Sequence, residues 1–141
     1  MDAKARDLLN DAQALGRLTS LTVHDVMRSP AVVFRGAEHL SLREAAGRRR
    51  FIYVIERDGT LIGWLDTHEL QDGQTAQDLV THVDPGTVCI TPENTLREAL
   101  VRMLECGFGS MSVTDDAHHL VGEVTVAAIV DAARDDNVAV I

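Results

Sequence analysis

Four short segments of this chain occur twice, in the same order. Thr22-Val-His-Asp-Val-Met27 is matched by Thr75-Ala-Gln-Asp-Leu-Val80, and Ser41-Leu-Arg-Glu-Ala45 by Thr95-Leu-Arg-Glu-Ala99. Phe51-Ile-Tyr-Val-Ile-Glu56 corresponds to Ser110-Met-Ser-Val-Thr-Asp115, and Leu61-Ile-Gly-Trp-Leu-Asp66 to Leu120-Val-Gly-Glu-Val-Thr125. An internal repeat constrains a fold more than composition does, because each copy has to make the same supersecondary unit. The 141 residues therefore divide into two related halves sharing a small domain.

Each half reads alike. Thr22 and Thr75 cap a helical turn, with Asp25 and Asp78 answering three residues later. A β-branched run follows, Val32–Phe34 and then Val88–Ile90, and the boxes Ser41-x-x-Glu44 and Thr95-x-x-Glu98 each open a helix. Strands are predicted over 51–56 and 60–65, then 110–114 and 119–125, with turns at Asp58-Gly59 and at 115–118. A closing helix is expected from Thr67 in the first half and over Val126–Ala133 in the second. Ala5, Leu8, Leu9, Ala12, Leu15 and Leu18 predict one amphipathic helix before the first half. The boundaries are a connector over 1–21, repeats over 22–72 and 73–134, and a tail over 135–141.

In this order the motifs resemble a tandem pair of CBS domains, the Bateman module, over residues 22 to about 133. The resemblance implies an α+β fold of two β-α-β-β-α repeats packed as a pseudo-twofold pair, and a regulatory role rather than catalysis. Residues 18–27 and Gly63-Trp-Leu-Asp-Thr67 look more narrowly like the C-terminal CBS pair of ATP-binding subunits in glycine betaine and other osmoprotectant ABC transporters. It also implies a homodimer, for which the apolar face of Leu100, Met103 and Leu104 is the expected contact. The ligands implied are an adenine nucleotide or a cyclic dinucleotide.

Nucleotide-binding repeats of that family end in Gly, two hydrophobic residues, Thr or Ser, two residues, and Asp. Here the second repeat has Thr125 but Ala128 at the Asp position; the first has Asp66 at the Thr position and Glu69 at the Asp position. Carried over residue by residue, the candidate ligand residues are Ser110, Met111, Val124, Thr125, Asp66 and Glu69. A free Asp66 aimed at a phosphate repels it, so weak adenylate binding is expected. The first repeat is also shorter: Leu42 to Val54 spans twelve positions where Leu96 to Val113 spans seventeen. Arg48, Arg49 and Arg50 fill the shortened exit. They read as a solvated helix end, as an anion or cyclic-dinucleotide contact, or as a contact with an anionic membrane surface or transporter body.

Charge narrows the partners. The net charge of −9 argues against a nucleic-acid polymer, yet residues 28–57 carry seven arginines against three glutamates. Neither Cys89 nor Cys106 belongs to a C-x-x-C pair, and His118-His119 lack a third ligand, so no metal site is expected. Trp64 reads as core or interface. The sequence holds no phosphate loop, nucleophile elbow or His-Glu-x-x-His helix, and enzyme activity is not expected. With no signal or spanning run read in the sequence, a cytoplasmic place is expected, and the transporter resemblance implies the inner face of the membrane. Three functions compete: control of an osmoprotectant transporter whose ATPase domain lies upstream or in a partner, a free-standing nucleotide-binding CBS protein acting on an enzyme or channel, and a dimerisation unit with decayed pockets.

Overall fold

The computed structural model describes residues 3–36, 42–44, 47, 49–71, 73–82 and 90–134. Three helices come first: α1 (Ala3–Leu8), α2 (Ala12–Ser20) and the single turn α3 (Val23–Val26). The first hairpin follows, with β1 (Val32–Phe34), β2 (Phe51–Ile55) and β3 (Leu61–Asp66), then a 3-10 turn at Thr67–Glu69. After α4 (Ala76–Leu79) and β4 (Thr81–His82) come α5 (Leu96–Cys106), β5 (Ser110–Thr114), β6 (Leu120–Thr125) and α6 (Val126–Arg134). The mixture is α+β, as the pattern of the repeats predicts.

Helix starts are set by the residues the sequence singles out. Thr22, Thr75 and Thr95 each form a capping box with Asp25, Asp78 and Glu98. Around α5 the Thr95 hydroxyl accepts the Glu98 N–H at 3.1 Å while Glu98 accepts the Thr95 N–H at 3.1 Å, satisfying two otherwise orphaned donors. Gly107 closes α5 in the left-handed conformation. The box expected at Ser41, the strand residues Val88 and Cys89, and the tail 135–141 lie outside the described residues.

Two expectations are corrected. The amphipathic stretch 5–18 is not one helix: Asp11 starts a second one by accepting the N–H groups of Gln13 and Ala14, so Ala5, Leu8, Ala14 and Leu18 are buried while Ala12 is exposed. No closing helix follows Thr67. Asp66 accepts the His68 N–H at 2.9 Å and starts only a 3-10 turn, whose three residues bury nothing.

Contacts divide the chain into two bodies, and neither is a contiguous repeat. The first takes the described residues of Met1–Arg28, Ile90–Val113 and Gly122–Ile141; the second takes those of Ser29–Cys89 and Thr114–Val121. These bodies interleave the repeats expected over 22–72 and 73–134. The reason is backbone pairing. Segment Thr22–Arg28 docks on second-repeat residues: Val23 donates to Asn94 O, Leu96 donates to Leu21 O, and Arg28 and Glu123 exchange two N–H···O bonds of 2.9 Å. Symmetrically, β4 enters from the second repeat and pairs antiparallel with β3 through Gly63–His82 and Trp64–Thr81.

In the first body, α2, α5 and α6 enclose a core of Leu18, Val23, Leu96, Leu100, Met103, Val113 and Ile129. Leu100 and Met103 are fully buried there and Leu104 packs against them, so the face expected to meet a second copy is covered by the chain itself. In the second body the sheet runs β1-β2-β3-β4, with β1 parallel to β2 and the rest antiparallel. One side packs Val33, Ile52, Val54 and Leu65 with Leu42 and Ala76; the other groups Tyr53, Leu61 and Trp64.

Glycine at 63 and 122, equivalent positions of the two repeats, is a packing requirement. A Cβ on Gly63 would overlap the Thr81 carbonyl, so there the incoming strand can approach only a glycine; one on Gly122 would meet Met27 Sδ at 2.8 Å, and the methionine side chain would have to move.

Replacing Thr95 by Ala removes the cap of α5 and is expected to cost about 1 kcal/mol, read as a lower urea midpoint with an unchanged slope. Hydrogen bonds hold four carboxyls below their ordinary range: Asp58 accepting from Thr60, Asp66 from Arg50, Glu98 from Thr95 and Asp115 from His119. A carboxyl depressed in the folded state contributes its stability above the unfolded value, near pH 4, and loses it as pH falls through the folded value. These four contributions are expected to be constant from pH 7 to about 5 and to disappear below about pH 4, seen as a falling urea midpoint in acid.

Candidate functional site

The sequence-derived ligand residues fall into two groups, one in each body. In the first body, β5 and β6 alternate. Met111, Val113 and Val124 face the core, and Met111 and Val124 are buried in it, so the side chains of these two candidates are structural. Ser110 and Ser112 share the opposite face with Glu123 and Thr125. Thr125 sits where β6 becomes α6; its hydroxyl oxygen accepts the Ala128 N–H at 3.1 Å, capping the helix and leaving its own O–H to donate. Ala128 presents only a methyl group where the family pattern has a carboxylate.

Beside Thr125 lies a pair that the motif comparison missed. Glu123 is 1% exposed, and Arg28 donates to its Oε1 from Nε and from Nη2, each at 2.8 Å. The Arg28 side chain is 49% exposed. The signal was in the sequence: Glu123 stands in a position that the first repeat fills with Trp64, and a charge amid Leu-Val-Gly and Val-Thr demands a partner. That partner is 95 residues away and no local pattern reveals it.

In the second body the structure brings Arg50 to Asp66. The guanidinium grips the carboxylate with Nε at 3.2 Å from both oxygens and Nη2 at 2.9 Å from Oδ2. Arg50 raises its own affinity for the proton through this bond and holds the Asp66 carboxyl low. Its guanidinium also lies 5.0 Å from the Phe51 ring centre, and Phe51 meets Trp64 edge-on at 5.6 Å. Thr67 donates its hydroxyl to Arg50 O at 2.7 Å and fastens this strand end. Asp66 is therefore not the bare anion anticipated. Arg49 donates to Ser29 O at 2.6 Å, and Arg48 lies outside the described residues. Glu69 is exposed at the end of the 3-10 turn. Trp64 packs with Tyr53 and Leu61, which places it in an apolar cluster.

Other features are peripheral to these groups. A groove of about 570 Å³, lined by Asp7, Asp11, Arg17 and Arg134 among others, lies between the α1–α2 corner and the end of α6. His119 Nδ1 is 3.2 Å from Asp115 Oδ2, but among the described residues no set of three ligating side chains could hold a metal ion. Among them, too, no helix is long and apolar enough to cross a membrane.

Residues 77–135 match the family model of the CBS domain. The whole fold is that of CBS-domain pairs. It is similar to CBSX2 in complex with AMP, with a TM-score of 0.67 and 23% identity over 80% of this chain and 96% of that one. The CBS domain of a bacterial CNNM/CorC family Mg2+ transporter gives 0.69 and 13%, covering 94% and 85%. Staphylococcus aureus OpuCA gives 0.63 and 23%, covering 75% and 93%. No curated protein matches the chain by sequence.

Arg28→Met removes two guanidinium hydrogen bonds from a buried carboxylate. The expected loss is about 2–3 kcal/mol, at or below the low end for buried pairs because Arg28 is half exposed. Arg28→Met combined with Glu123→Leu should restore most of it, as measured by urea unfolding of both variants.

Proposed function

We propose that this chain is a regulatory CBS module that controls ATP-driven osmoprotectant uptake, of the glycine betaine type, in response to a nucleotide or to ionic strength. The observation that carries the regulatory reading is the CBS-domain match over residues 77–135 within a fold of CBS-domain pairs. The transporter assignment rests on residues 18–27 and 63–67, which carry the resemblance, and the fold likeness to Staphylococcus aureus OpuCA points the same way. The working place of such a module is the cytoplasmic face of the membrane, beside the ATPase domain. Assembly as a homodimer belongs to this reading through the resemblance alone, since the α5 face is occupied within the first body.

Ligand chemistry follows from the two half-sites. Thr125 offers one hydroxyl donor at the head of α6, and Ala128 removes the carboxylate that would accept ribose hydroxyls. In the second body Arg50 neutralises Asp66, so repulsion of a phosphate is weaker than the sequence implies, while the guanidinium is committed to that bond. For Arg50 the ion pair with Asp66 takes the place of the solvated helix end, and the anionic-surface contact is retained for Arg48 and Arg49.

The test is uptake of labelled glycine betaine after an osmotic upshift in cells deleted for this chain and complemented with it. Loss of the upshift response on deletion, restored by complementation, is the expected result. An unchanged response would assign the module to a separate enzyme or channel. Calorimetry with AMP is expected to give binding ten- to a hundredfold weaker than a repeat with the ribose carboxylate, since one charged hydrogen bond of about 1.5–3 kcal/mol is missing. A low-micromolar constant would show that the ribose is held by other groups.

A further inference from the structure

Equivalent faces of the two hairpins have opposite chemistry. On β2 and β3 the positions are Phe51, Tyr53 and Trp64; on β5 and β6 they are Ser110, Ser112 and Glu123. Ser112, Thr114 and Glu123, at 5%, 2% and 1% exposure, are the buried polar and charged side chains of the described residues, and all three belong to the second hairpin. Opposite Trp64 stands Thr81; opposite Glu123, in the same register, stands Arg28. Where the first hairpin has a tryptophan against a threonine, the second has installed a carboxylate and a guanidinium.

The geometry of that guanidinium is what makes it a receptor. Nε and Nη2 both donate to one oxygen of a carboxylate that is 1% exposed, and these two bonds set the plane of the fork. Among the described residues no acceptor meets Nη1, and about half of the side chain is open to solvent. Thr125 is two residues past Glu123 on the same strand face. Arg28 therefore sits diagonally across the antiparallel pair from Thr125, a separation of about 7–8 Å between backbones. Within that span a tetrahedral anion accepts from an Arg28 N–H on one side and from the Thr125 hydroxyl on the other. At Ala128, by contrast, nothing accepts a sugar hydroxyl.

We propose that Arg28, positioned by buried Glu123, grips the phosphate of a phosphate-monoester ligand together with Thr125, so that this repeat reads its ligand by the phosphate and not by the ribose. The proposal rests on the reading of Thr125 as a ligand residue, and the experiment separates the two. The intact chain is titrated by calorimetry with AMP, 2′-deoxy-AMP and adenosine, and separately with inorganic phosphate while the arginine Nε–Hε resonances are followed by NMR. AMP and 2′-deoxy-AMP should bind within about threefold of each other and adenosine about tenfold or more weaker, one hydrogen bond to a charged group being worth that factor. Arg28→Lys retains a cation for Glu123 but loses the fork; it should cost about tenfold for AMP, leave adenosine unchanged and leave the circular dichroism spectrum unchanged. Inorganic phosphate should move the Arg28 Hε resonance of the wild type.

Equal affinity for adenosine and AMP, AMP binding by Arg28→Lys as tight as wild type, or a large loss with 2′-deoxy-AMP would each overturn the proposal. If phosphate moves the Arg28 resonance while no nucleotide binds, the anion site stands and the adenylate reading of Thr125 falls. Should neither occur, both fall together.

Discussion

The structure depends on a swapped backbone pairing. Each repeat sends the strand that opens it onto the last strand of the other repeat, and in both places the receiving strand offers a glycine. At Gly63 the incoming carbonyl of Thr81 occupies the space of a side chain, and at Gly122 Met27 does. Two hydrogen bonds between Arg28 and Glu123, and the β3–β4 pairs, fix the register at those crossings. Register in turn decides which residues face each other: a slip of one position would turn Glu123 into the core and Val124 out of it. The buried ion pair, the capping role of Thr125 and the alternation of β5 all follow from where Arg28 is pinned.

Duplication has left the two hairpins with one backbone plan and different contents. In the second body, an aromatic cluster fills the face beside a cation held over Phe51, and the carboxylate of Asp66 is spent on Arg50. The first body keeps hydroxyls and an ion pair on the matching face. A buried charge pair contributes little net stability compared with apolar side chains of the same volume, so its presence is better explained by specificity than by folding energy. The first body has the polar inventory of a binding face; the second has the inventory of a packed one.

Local chemistry was legible in the sequence. The three capping boxes, the hairpin turns and the strands within a residue or two could be read because each depends on neighbours in the chain. Reading failed where distant segments decide. Asp11 was passed over as a helix start because the apolar spacing of residues 5–18 continues across it. Leu100 and Met103 appeared unpartnered because their partners in α2 lie some 80 residues earlier. Asp66 appeared as a free anion because the arginine that holds it sits across a strand pair. Glu123, the most informative residue of the site, lies inside a motif whose pattern assigns it no role. A charged side chain between Gly122 and Val124 was the available clue, and only the fold supplies Arg28.

Interleaving has a consequence for how the chain is made. The body that contains the N-terminus also needs residues 90–113 and 122–134, so its earliest segment waits for nearly the last one to leave the ribosome. At roughly 5–20 residues per second, α1 to α3 spend several seconds with their apolar stripe uncovered, while the hairpin of the other body has most of its own sequence already in hand. The first part synthesised is the last to close, and the bridge between Arg28 and Glu123 is its seam.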